Sequence, residues 1–169
     1  MKKIQNRIQI ILIIVLTIVA LSLILSQKAT PDNPMLFGLK RLQEKTYLNF
    51  KSNPMDRLDY MSSLLDKRLA EIAAILDHKK YDFLLSSSLR YSTLAGEMTD
   101  LVISNNLKDK QSFSSSKVVA VKDQFNKHKK VLFDLYVAYP KNTQNLEYKY
   151  LEDDINYLNI YLDKLSEVK

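Results

Sequence analysis

The sequence predicts an all-α protein, with an N-terminal transmembrane helix followed by an antiparallel helical bundle of four to five helices. Three observations lead there. Only 2 Gly and 4 Pro stand among 169 residues, so the breaks that short strands and tight hairpins need are scarce. One segment near the N-terminus is apolar and uncharged. Downstream, apolar residues recur at three- and four-residue steps, the period of a helix with one buried face. Hydrophobic residues at 46% and charged residues at 26% supply a core and set the chain apart from disordered, highly charged sequences. The length suits one domain plus an anchor.

The apolar run extends from Ile8 to Ser26 and is interrupted by nothing more polar than Gln9, Thr17 and Ser22. As a helix it reaches about 28 Å, close to the hydrocarbon thickness of a bilayer. A cleaved signal peptide has a shorter run ending in small residues. Here Leu23, Ile24 and Leu25 continue beyond Ala20 and Ser22, so the segment is expected to stay as a signal anchor. Lys2, Lys3 and Arg7 precede the run, whereas only Lys28 lies immediately beyond it; Lys40, Arg41 and Lys45 follow at a distance, with Asp32 and Glu44 among them. That asymmetry favours a cytoplasmic N-terminus and an extracytoplasmic remainder at the cell membrane. The expected division is a cytoplasmic tail over 1–7, a transmembrane helix over 8–26, a juxtamembrane linker over 27–34 and a helical domain over 35–169.

Pro31 and Pro34 prevent the anchor from running unbroken into the domain. Asn33 before Pro34, and Asn53 before Pro54, each read as an N-cap followed by Pro at the first helical position. The first domain helix spans Met35 to Lys51, with Leu36, Leu39, Leu42 and Phe50 near one face. A second begins at Pro54, where Leu58, Met61, Leu65, Leu69, Ile72 and Leu76 form one stripe. Asp82 is placed to cap a third helix reaching about Asn105, with Leu84, Tyr91, Leu94, Ala95, Met98 and Val102 inward. Asn105 to Ser116 reads as a loop. A fourth helix runs from about Ser115 to Tyr139 and stops at Pro140; a fifth, from about Thr143 to Val168, carries Leu151, Ile155, Leu158, Leu162 and Leu165. Short connections imply antiparallel neighbours in an up-and-down bundle.

Charge and composition exclude several function classes. The net charge is +6, but without Lys2, Lys3 and Arg7 the 25 basic residues fall to 22 against 19 acidic ones, which makes no case for nucleic acid. The chain has no Cys, which removes disulfides, thiolate metal sites and thiol catalysis. Gly38 and Gly96 stand alone, so no glycine-rich phosphate loop exists.

Pro31-Asp32-Asn33-Pro34, then Leu39-Lys40-Arg41-Leu42 with Glu44-Lys45, then Lys67-Arg68-Leu69-Ala70-Glu71 on the next helix, resemble a bacterial family catalogued only as a domain of unknown function. The resemblance covers about a quarter of the chain. It implies an extracytoplasmic helical domain behind an N-terminal membrane segment, and it brings no catalytic residues.

No constellation points to a cofactor, a metal or catalysis. His78 and His128 are each followed by two lysines, whose charge disfavours a metal site, so both read as solvated helix surface. Glu152, Asp153 and Asp154 splay by about 100° per residue on a helix and read as a solvated face. Arg68 with Glu71, and Lys40 with Glu44, sit at helical ion-pair spacings. Lys40, Arg41 and Arg68 are candidates to meet an acidic partner or lipid headgroups, although interfacial electrostatics alone accounts for them. Tyr150, Tyr157 and Tyr161 lie along one side of the last helix and form a candidate recognition surface, the alternative being a wide core edge with wet hydroxyls. Ile160 falls opposite the main stripe. The expectation is a protein-interaction or envelope-sensing module, not an enzyme. A small-molecule or lipid receptor is the alternative, and an envelope enzyme the weakest reading.

Overall fold

The computed structural model describes residues 2–26, 29, 31, 33–107, 113–140 and 146–168, without the side chains of 2–8, 10–12, 34 and 107. Among the described residues the secondary structure is entirely helical: α1 (Lys2–Ser26), α2 (Pro34–Phe50), α3 (Pro54–Asp77), a 3-10 turn (Tyr81–Phe83), α4 (Leu84–Leu107), α5 (Ser115–Ala138) and α6 (Tyr148–Ser166). They form two compact units, Met1–Phe50 and Lys51–Lys169.

In the first unit, α1 packs on α2. Gln43 Nε2 donates to the Leu23 carbonyl at 3.2 Å, and the buried Lys40 Nζ donates to the Ala29 carbonyl at 3.2 Å. Among the described residues no helix is long and apolar enough to cross a membrane. The expected transmembrane helix over Ile8 to Ser26 is therefore not supported by the structure. Ile8 and Ile10 to Leu12 have side chains outside the described residues, as do Lys2, Lys3 and Arg7; much of the 27–34 linker lies outside them as well.

The second unit is a four-helix bundle whose centre encloses Leu58, Met61, Leu65 and Ile72 of α3, Tyr91 and Met98 of α4, Phe125 and Leu132 of α5, and Leu151, Leu158 and Leu165 of α6. Removing side chains of this size from water contributes about 2 kcal/mol each. The caps follow the residue types. Asn53 accepts from the Met55 amide at 2.9 Å with Pro54 at the first turn, and Tyr139 is extended, as the residue before Pro140 must be. Asp82 lies inside the 3-10 turn and does not cap α4, because that turn leads straight into helical backbone at Leu84. Thr143, expected to open the last helix, lies outside the described residues.

Around the bundle, α3 packs on α4 and α5, and α6 packs on the same two helices. Contacts between Ser62 and Gln124, and between Asp66 and His128, advance together along α3 and α5, so these neighbours run parallel. The arrangement corrects the simple up-and-down expectation: the antiparallel rule holds inside the α3/α4 and α5/α6 hairpins, but α4 and α5 occupy a diagonal. Short connections reverse chain direction without fixing which neighbour comes next, and a diagonal partner satisfies the reversal equally well.

Candidate functional site: a polar layer and an aromatic end

Each helix of the bundle contributes to one polar layer, with a buried side chain from α4, α5 and α6 and an exposed one at its edge from α3. His128 of α5 sits between Phe125 and Leu132 on the inner face, Tyr91 comes from α4, Asp66 from α3 and Asp154 from α6. The Tyr91 hydroxyl lies 3.2 Å from His128 Nδ1, and His128 Nε2 lies 2.8 Å from Asp66 Oδ1. The carboxylate of Asp66 is largely exposed and accepts, which assigns the imidazole proton to Nε2 and leaves Nδ1 to accept from Tyr91. Gln124 completes the α3–α5 seam by donating to Asp66 Oδ1 at 2.7 Å and to the Ser62 carbonyl at 3.0 Å, while accepting from the Ser62 hydroxyl at 2.7 Å.

Burial holds His128 below its ordinary pKa, against the opposing pull of Asp66, so the ring is neutral near pH 7. Burial, with the charges of Asp154 and Asp66, pushes Tyr91 well above the ordinary phenol range. Asp154 is 1% exposed and neither carboxyl oxygen has a hydrogen-bond partner. Burial pushes it up to about 8; the neighbouring Ser88 hydroxyl, which is donated to the Tyr150 carbonyl at 3.2 Å, opposes this weakly, and Asp153 adds to it. Asp154 is thus a neutral acid at pH 7. With Tyr91 fully enclosed, the Tyr–His–Asp relay links helices and does not present a nucleophile to solvent. Among the described residues no group of three or more acidic or imidazole side chains is arranged to hold a metal ion.

The ends of α3 and α5 meet the start of α6 in an aromatic cluster. Tyr81 and Tyr139 have ring centres 5.1 Å apart, Tyr139 and Tyr148 6.2 Å, Tyr136 and Tyr148 6.1 Å, and Phe133 and Tyr136 6.4 Å. Beside it lies an open cleft of about 640 Å³ lined by Leu76, Asp77, Lys79, Tyr81, Leu135 and Tyr139 among others. Its volume falls within the range of small-molecule sites. Helix α3 closes here in a Schellman motif, with the Lys80 amide on the Ile75 carbonyl at 2.9 Å and the Lys79 amide on that of Leu76 at 3.1 Å. Lys79 takes the left-handed position at φ 56°.

The residues singled out from the sequence are distributed over both units. Lys40 and Arg41 belong to the first, where Lys40 is buried with its ammonium 5.6 Å from the Phe37 ring centre and Arg41 is exposed. Arg68 is in the second, buried, with Nη1 3.0 and 2.9 Å from the two Glu71 carboxylate oxygens. Tyr150 is half-buried; Tyr157 is exposed and stacks on Tyr161 at 6.2 Å. The Tyr161 hydroxyl donates to the Ser92 carbonyl at 3.3 Å over Gly96. His78 is exposed, as are Glu152 and Asp153. His128 and Asp154 are not on the solvated surface expected for them. Their signal was positional: His128 follows Phe125 by three and precedes Leu132 by four, and Asp154 stands likewise between Leu151 and Leu158.

The architecture therefore defines an all-α protein built around a four-helix bundle with a mixed apolar and polar core. Residues 28–142 match the family model described as Domain of unknown function (DUF5667), and the chain belongs to that family. The match embraces the Pro31 to Glu71 segment and continues through α5. No curated protein and no solved structure matches the chain.

Proposed function

We propose that this protein is a single-pass, membrane-anchored module whose helical bundle lies outside the cytoplasm and binds another protein or responds to an envelope condition. The observation that carries the reading is the surface of α1. From Ile13 through Leu25 its large apolar side chains are exposed on every side, and a helix with no polar face belongs in hydrocarbon or in a core. Thr17 and Ser22 donate to the carbonyls of Ile13 and Ile18, each at 2.8 Å, which satisfies the hydroxyls without water. Lys2, Lys3 and Arg7 ahead of the run favour a cytoplasmic N-terminus. Tethering confines the bundle to the membrane surface and raises its effective concentration there. The exposed Tyr157 and Ile160 on α6, and the aromatic end, offer contact area suited to a protein partner.

The cleft beside Tyr81 and Tyr139 favours the second reading, a receptor for a small molecule or lipid. An enzymatic role has the least support, since Tyr91 and His128 of the relay are buried. The test is protease treatment of intact cells carrying the full chain with a C-terminal tag, combined with crosslinking. A membrane-bound, protease-sensitive tag and a discrete crosslinked partner are expected. A tag recovered free of the membrane, or protected in intact cells, overturns the anchored, outward reading.

A further inference from the structure

We infer that the outer face of α2 is a lipid-binding surface, lying against the bilayer beside the anchor; this rests on the membrane reading of α1. Met35, Leu39, Leu42 and Phe50 fall within an arc of about 80° on the helix. Met35 is 85% exposed, Leu42 62% and Phe50 79%. The residues buried on α2 lie away from this arc: Phe37 is diametrically opposite, and Lys40 turns inward to the Ala29 carbonyl. The stripe is therefore an outward apolar face on a helix that already has an inner one.

Its location selects the occupant. Helix α2 is tied to the C-terminal end of α1 through Gln43 on Leu23 and Lys40 on Ala29, where the proposed anchor leaves the hydrocarbon. An apolar stripe held at that level meets the boundary of headgroups and acyl chains, and it continues the exposed apolar surface of α1 within the same compact unit. Lys45, which is exposed, stands on one flank of the stripe, where its stem lies along apolar surface and its charge reaches anionic headgroups. An amphipathic helix of this composition binds in the interface plane. The bilayer then contacts the protein twice, through the anchor and through α2.

The chain contains no Trp, so single Trp substitutions report position cleanly. Full-length Leu42→Trp, Phe50→Trp, Val19→Trp and Asp123→Trp are reconstituted in phosphatidylglycerol and phosphatidylcholine vesicles with brominated acyl chains. All four sites are exposed helix positions, so the fold is retained. Quenching of Leu42→Trp and Phe50→Trp several-fold above Asp123→Trp, with a blue-shifted emission, supports the inference. Quenching of Val19→Trp with Leu42→Trp and Phe50→Trp left at the Asp123→Trp level overturns it and leaves the anchor standing; the stripe then belongs to a protein contact. No quenching at Val19 overturns the anchor and the inference together.

Discussion

Asp154 is kept as a neutral acid by packing, and its cost depends on pH. Its ordinary pKa is 3.8 and its folded value about 8, so between those limits the folded protein retains a proton that the unfolded chain has released. Stability from this group is complete at acidic pH and is lost as pH rises toward 8. Tyr91 and Ser88 from α4 and Asp153 and Tyr161 on its own helix interact with it, none of them cationic. Asp154→Asn is expected to abolish that alkaline loss and to stabilise the protein at pH 8.5 by a few kcal/mol, read as a raised urea midpoint against the parent. His128 works from the other side. Its folded pKa is depressed, so stability falls as pH drops below about 6.5, and this acid limb should persist in Asp154→Asn but flatten in His128→Gln. At Gly96 the constraint is steric. A Cβ there would stand 2.8 Å from the Tyr161 hydroxyl oxygen, so Gly96→Ala should cost about 1–3 kcal/mol, partly restored by Tyr161→Phe in a double-mutant cycle.

Helix ends carry the next set of consequences. The Schellman closure of α3 puts Lys79 where a side chain is disfavoured, and Lys79→Gly should raise stability by roughly 0.5–1 kcal/mol, measurable as a small increase in Tm. The helices themselves were legible in the sequence, because Leu58, Met61, Leu65, Leu69 and Ile72 keep one period and all are buried. So were the Asn-Pro starts and the Pro140 stop, which depend on local backbone chemistry. The polar layer was not legible in the same way. His128 and Asp154 obey the apolar period, but their type and charged neighbours suggest water, and only the packing of the other bundle helices against them removes it. Arg68 and Glu71 show the converse: their spacing predicts a pair, while its burial comes from tertiary structure.

At the level of the whole molecule, the bundle from Lys51 to Lys169 has its own core and is expected to fold as an isolated fragment, with helical circular dichroism and a single cooperative unfolding transition. Loss of cooperativity in that fragment would show that the first 50 residues complete the core. By itself the sequence determined that the chain is helical and where most helices begin and end, because these follow from local dihedral preference and one-dimensional periodicity. Only the tertiary structure decided that α4 and α5 lie diagonally, that α3 and α5 run parallel, and that Asp66, Tyr91, His128 and Asp154 meet in one layer. The order of helices around a bundle is set by how side chains from distant segments fill shared space, and no local spacing records that choice.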